Sequence, residues 1–202
     1  MNKLLLALTL AFSASAVQAE VVNHLSLETF GAVAFTGDTH DVITGALGGT
    51  FGQLSATQDT SFSVTFLGKE ALNVNFYVQS GSQVANSSTN NVVNVGDTFT
   101  FNVAAGIIDF GFGGSNTETF ASNADYKINE IAYITNDGSY KDADGNPFAF
   151  LIGFNDGGSP DGDYDDYVVG VSAVPVPAAL PLLASALGMF GVARRRKSQV
   201  QA

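Results

Sequence analysis

Five carboxylates fall within eleven residues: Asp156, Asp161, Asp163, Asp165 and Asp166, in the run Asn155-Asp156-Gly157-Gly158-Ser159-Pro160-Asp161-Gly162-Asp163-Tyr164-Asp165-Asp166. Uncompensated, such groups repel one another and raise their own pKa values. A hard cation removes that cost. Ca²⁺ takes about six to eight oxygens, and a flexible loop can supply them from carboxylates and backbone carbonyls. Asp161, Asp163 and Asp165 alternate, which in a turn directs several oxygens to one point, so calcium is the cofactor these five residues would hold. The spacing is not that of an EF-hand, and a solvated acidic turn with no ion has the same composition.

Other chemistry is thinly represented. Asp142-Ala143-Asp144-Gly145-Asn146 has the order of a calcium-loop fragment, and it is equally an ordinary turn, because Asp, Gly and Asn all favour tight turns. The only histidines, His24 and His40, lack the spacing of a zinc site. There is no Gly-x-Ser-x-Gly elbow, phosphate loop or dinucleotide fingerprint. A carboxylate pair acting on a sugar leaves no linear signature, so a glycan hydrolase stays an alternative. Cysteine is absent, which excludes thiol chemistry and a disulfide framework. The net charge of −11 hides an asymmetry: all 19 acidic residues lie between Glu20 and Asp166, against three lysines there, so the middle carries −16. Such a surface repels nucleic acid and anionic lipid and suits divalent cations. The expectation is a protein that is not an enzyme and has no nucleic-acid partner.

The elements that must position the acidic loop read as strands. The middle is rich in Gly, Asn, Thr, Phe and Val and has few helix formers. Phe62, Val64 and Phe66 alternate, as do Leu72, Val74, Phe76 and Val78. With Gly68-Lys69-Glu70 between them, they form the clearest expected hairpin. Ser80 to Asn91 reads as a long exposed loop. Phe99, Phe101 and Val103 give a strand. Ile108, Phe110 and Phe112 give another, ended by Gly111, Gly113 and Gly114. A phase slip between Tyr126–Ile128 and Ile131–Tyr133 suggests a bulge near Asn129-Glu130. Phe148, Phe150, Ile152 and Phe154 alternate strongly, and Tyr167, Val169 and Val171 close the domain. Leu25–Leu27 and Val33–Phe35 are expected short strands. The fold class expected is all-β, an antiparallel β-sandwich of jelly-roll-like form, with the phenylalanines filling the space between its sheets.

Both ends of the chain read as addresses. Residues 1–19 form a secretory signal peptide: Lys3 in the n-region, Leu4 to Phe12 as the apolar core, and Val17-Gln18-Ala19 as the cleavage site. The exported β-domain is then 20–173. The tail, 174–202, runs Val174-Pro175-Val176-Pro177, then an uncharged apolar stretch 178–193, then Arg194-Arg195-Arg196-Lys197. The prolines break an incoming strand, and the basic cluster stays cytoplasmic. As a helix the apolar stretch rises about 24 Å, short of the ~30 Å of a hydrocarbon core. An uncut tail anchor would have the same arrangement.

This tail resembles the PEP-CTERM signal of Gram-negative bacteria, in its Val-Pro-Val-Pro-Ala variant. Pro175 and Pro177 take the two proline positions, Val176 stands where the signature has Glu, and Arg194, Arg195, Arg196 and Lys197 take the basic cluster. The resemblance implies an exosortase-type processing enzyme as partner. It also implies at least transient residence in the inner membrane, then the cell surface or the extracellular exopolysaccharide matrix. Asp161 to Asp166 followed by Val168 to Val171 resembles the end of an uncharacterised family of exported bacterial domains, which implies an all-β domain with a calcium-linked role. The function expected is therefore an exported, non-enzymatic protein of the cell envelope or extracellular matrix. A Ca²⁺-dependent carbohydrate-binding module is the alternative.

Overall fold

The structure is a computed structural model that describes residues 23–35, 42–44, 48–70, 74–86, 93–114, 120–124, 130–156, 162 and 164–174. They belong to one compact unit, Val21–Pro175. The expected signal peptide, the bulge expected near Asn129, and the expected sorting tail with Pro175, Pro177, Arg194, Arg195 and Arg196 lie outside the described residues.

The regular elements among the described residues are all strands, in two antiparallel sheets. The strands are β1 (Leu25–Val33), β2 (Gly49–Ala56), β3 (Thr60–Gly68), β4 (Asn75–Gln79), β5 (Ser82–Asn86), β6 (Thr98–Val103), β7 (Gly106–Ile107), β8 (Phe110–Gly114), β9 (Ala121–Ser122), β10 (Ile131–Ile134), β11 (Phe150–Phe154) and β12 (Tyr167–Ala173). The larger sheet runs β1-β2-β10-β11-β12-β3-β6, with β7 also on β2; the smaller runs β5-β4-β8-β9.

Rings from both sheets share one core. Phe112 of β8 stacks on Phe154 of β11 with centroids 5.4 Å apart, and Phe66 lies 4.7 Å from Tyr167. A side chain of this size buries on the order of 150–250 Å² of surface. Strands β3 and β6 put Phe62, Val64, Phe66, Phe99, Phe101 and Val103 against this core, as their alternation predicts. Strands β11 and β12 are buried on both faces, because a second apolar cluster of Ile43, Ile134, Phe148, Leu151 and Val168 covers the outer side of the larger sheet. That explains their near-continuous apolar sequence.

Several expected elements are corrected. The segments around Phe62–Phe66 and Phe76–Val78 do not pair: β3 joins β12 and β6, and β4 joins β5 and β8 in the other sheet. Alternation is a local property and is the same for hairpin partners and for strands that face each other across a core. The phase of β4 is also reversed. Asn75, Tyr77 and Gln79 are buried, and Phe76 instead lies on Gly113, where a Cβ would come within 2.6 Å of its ring. The expected loop after Gln79 begins as a hairpin. Ser80 and Gly81 have φ of 49° and 75°, the paired left-handed conformation of a two-residue turn, and β5 follows. Gly111 and Gly113 lie inside β8 rather than ending it. Phe148 is not on β11. Its ring packs on the outer face over Gly170, where a Cβ would stand 2.7 Å from it. Of the two short strands expected near the start, Leu25–Leu27 lies in the longer β1, which has a register shift between Thr29 and Gly31, and Val33–Phe35 is no separate strand: Val33 ends β1 and Phe35 lies beyond it.

Buried polar groups link these pieces. Asn123, 1% exposed, imitates a strand partner for Leu54. Its Oδ1 accepts the Leu54 N–H at 2.9 Å and its Nδ2 donates to the Leu54 carbonyl at 2.9 Å. It also donates to the Ile108 carbonyl at 2.7 Å and accepts the Tyr133 hydroxyl at 2.8 Å. Burial pushes the phenols of Tyr77, Tyr133 and Tyr167 well above the ordinary tyrosine range. The first two donate to Gln79 and Asn123, whereas the Tyr167 hydroxyl has no hydrogen-bond partner among the described residues.

Candidate functional site

The acidic loop leaves the larger sheet at the end of β11 and re-enters it at the start of β12, so the ladder between them fixes the two roots of the loop as neighbours, with Phe154 opposite Tyr167. The roots carry three of the five expected carboxylates, Asp156, Asp165 and Asp166. Asp161 and Asp163 lie outside the described residues.

The root is closed by hydrogen bonds that run between chain segments. The Asp156 N–H donates to Asp166 Oδ2 at 2.7 Å, across the mouth of the loop. Asp165 Oδ2 accepts the Val42 N–H at 2.7 Å, and the Asp165 carbonyl accepts the Glu70 N–H at 3.0 Å. From the smaller sheet, fully buried Asn75 donates through Nδ2 to the Asp166 carbonyl at 3.2 Å and to Asp156 Oδ2 at 3.4 Å. Val42, Glu70 and Asn75 are thus tied to the two roots of the loop by three carboxylates, one side-chain amide and the carbonyls of Asp165 and Asp166. Asp156 and Asp165 are only 4% and 3% exposed. A charge so placed needs oriented donors, because desolvation penalises the ionised form, and N–H groups supply them.

The chain is aimed into this root by one strained residue. Tyr164 has φ of 60°, a conformation that costs a non-glycine residue about 1–2 kcal/mol. Its ring compensates by packing edge-on against Phe35 and Phe51, with centroids 5.6 and 5.8 Å away. Its carbonyl lies over Gly153, at a place where a Cβ would collide with it. Gly153 is therefore part of the site although it carries no functional group.

Among the described residues, no group of three His, Cys, Asp or Glu side chains is arranged to hold a metal ion. Asp156, Asp165 and Asp166 each accept from an N–H donor, so they act first as structural acceptors. A cation there needs the loop carboxylates as well. The clasping partners Val42, Glu70 and Asn75 were not expected from the sequence. The first two act through the backbone, which has no residue-specific signal, and Asn75 sits in a strand whose apolar neighbours suggest the opposite phase.

The lesser candidate lies at the other end of β11. Asp142 Oδ1 accepts the N–H groups of Asp144 and Asn146 at 3.0 and 2.9 Å, so the segment is a tight turn shaped by its own aspartate. His24 lies near the chain end of β1, where its ring meets the Gln58 amide at 3.1 Å. His40 is outside the described residues.

No protein-family model matches the chain, and no curated protein matches it. Fold and site therefore define the class by themselves: an all-β domain of two antiparallel sheets, with a carboxylate-clasped loop at one end of its central strand pair.

Proposed function

We propose that the chain is an exported, non-enzymatic protein of the cell envelope or extracellular matrix, built as a jelly-roll-like β-sandwich and delivered by a PEP-CTERM-like tail. The observation that carries this reading is where the sheet stops. Ala173 makes the last ladder pair of β12, opposite Phe62, and the Val174 N–H donates to the Ser61 carbonyl at 3.2 Å. Pro175 comes next and has no N–H to extend the ladder. A sheet whose last hydrogen bond falls at the residue before a Pro-x-Pro segment, an uncharged apolar stretch and Arg194 to Lys197 suits a cargo joined to a sorting tail. On this reading the tail engages the inner membrane and an exosortase-type enzyme, and the released domain resides among exopolysaccharide. Mass spectrometry of the protein recovered from its native host tests it. A mature chain beginning at Glu20 and lacking residues 194–197 is expected; a chain still ending at Ala202 overturns the processing route.

The acidic loop is, in the same proposal, a Ca²⁺-stabilised clasp. Its support is the pairing of buried Asp156 and Asp165 at the root with Asp161 and Asp163 on the loop between them. When bound, the ion would neutralise the mutual repulsion of these carboxylates, while the donors from Val42, Asn75 and Asp156 fix the root. An ion that binds the folded state alone must raise the melting midpoint. Millimolar Ca²⁺ should raise it by several degrees in the natural chain and not in the Asp161→Asn/Asp163→Asn variant. An unchanged midpoint in the natural chain reduces the loop to a solvated turn on a carboxylate root.

A further inference from the structure

A groove of about 380 Å³ opens on the larger sheet, at the far end of β12 from the clasp. Its floor is a row across three strands: Ser172 of β12 pairs with Ser63 of β3, which pairs with Thr100 of β6. Neighbouring strands lie about 4.8 Å apart, so the floor presents hydroxyls at that interval. The row exists because alternation turns Phe62, Val64, Phe99, Phe101 and Val171 into the core and these small polar residues outward. Elsewhere the outer face is covered by Phe148, Leu151 and Val168; here it is left open. The turn carrying Asp142, Asp144 and Asn146 forms the wall.

The hydrogen bonds of the groove divide its side chains into two sets. Asp142 is used by the protein itself: Oδ1 accepts two backbone N–H groups of its turn, and Oδ2 accepts the Ser172 hydroxyl at 3.3 Å. That last bond ties the wall to the floor. The Asp144 carboxylate, the Asn146 amide and the Ser63 and Thr100 hydroxyls make no hydrogen bond among the described residues, and all four line one concave space. Together they offer donors and acceptors side by side, beside the apolar ring of Pro147. Adjacent donor–acceptor groups with an apolar flank complement the hydroxyls and C–H faces of a sugar ring. An anionic ligand is disfavoured by two carboxylates on a domain of −16. A bare cation is disfavoured because only one of those carboxylates is uncommitted, where a hard ion takes about six to eight oxygens. The size lies near the lower end for ligand clefts, about 300–1,000 Å³.

We propose that the groove between the Ser63–Thr100–Ser172 row and the Asp142–Asn146 turn is a binding site for a neutral carbohydrate, read by Ser63, Thr100, Asp144 and Asn146. It depends neither on the tail nor on the acidic loop. The test is an amide ¹H–¹⁵N titration of the full chain with cellohexaose, mannohexaose, maltohexaose, a galacturonate hexamer and CaCl₂, each separately. At least one neutral oligosaccharide should give saturating shifts confined to Ser63, Thr100, Asp144, Asn146, Ser172 and their neighbours, and the galacturonate should give none. Asp144→Ala and Thr100→Val, both at exposed positions and so expected to fold, should each weaken the apparent Kd by about tenfold. The proposal is overturned if no neutral probe moves these amides, or if both variants bind as the natural chain does. Shifts there from CaCl₂ alone would make the groove a cation site and overturn it as well.

Discussion

Strands β11 and β12 have carboxylates at both ends, and the two ends use them differently. At the loop root, Asp165 and Asp166 accept N–H groups from Val42 and Asp156, and Asn75 reaches in from the second sheet. At the other end, Asp142 accepts N–H groups from two and four residues away, and its one long-range donor is the Ser172 hydroxyl at 3.3 Å. The number of backbone N–H groups drawn from other segments, together with burial, separates the roles. Asp165, which accepts the N–H of Val42 from far along the chain, crosslinks the fold and is buried. A carboxylate that accepts mainly from its own turn shapes that turn, and leaves neighbours such as Asp144 exposed. The first kind is expected to govern stability, the second recognition.

The largest effect should come from the root. Asp165→Ala removes the acceptor of the Val42 N–H in a buried setting. It should cost about 3 kcal/mol, or roughly 6–12 °C of melting midpoint for a domain of this size. A midpoint within about 2 °C of the natural chain would remove the distinction between the two ends. Asn75→Ala leaves the Asp166 carbonyl and the Asp156 carboxylate without their amide donor, and a loss of about 2 kcal/mol is expected in chemical denaturation. If that variant is more stable than the natural chain, the amide is not a clasping group. At the turn, Asp142→Ala should cost only about 1 kcal/mol, because two of the three bonds it loses are local and exposed and the third, from the Ser172 hydroxyl, is long at 3.3 Å; a loss equal to that of Asp165→Ala would make the two ends alike. The smallest effect marks the boundary of the root. The Tyr167 hydroxyl follows Asp166 directly and has no partner among the described residues. Tyr167→Phe should therefore leave stability unchanged or raise it by up to about 1 kcal/mol. A clear loss in a urea melt would mean the polar network continues past Asp166.

How far the sequence was legible depended on whether each signal was local. Strands β3, β6 and β12 were readable because Phe62-x-Val64-x-Phe66, Phe99-x-Phe101-x-Val103 and Tyr167-x-Val169-x-Val171 alternate with small residues, and their apolar set does face the core. Asp156, Asp165 and Asp166 were readable as a group because chain proximity holds them together. The pairing of β3 was not readable. The places of Gly170, Phe148 and Asn75 were not readable for the same reason: each owes its role to a partner far along the chain. Gly170 is small because Phe148 lies on it, and Asn75 is buried because Asp166 supplies an acceptor.

Composition and periodicity alone determined an acidic, cysteine-free, all-β domain with its carboxylates gathered between two late strands, because these properties follow from residue type and a two-residue repeat. Only the tertiary structure decided that β3 and β4 belong to different sheets, that Val42, Glu70 and Asn75 close the acidic root, and that Ser63, Thr100 and Ser172 share a row. Register and sheet membership are set by contacts between segments many residues apart, and a one-residue shift in either would turn each of these side chains to the opposite face.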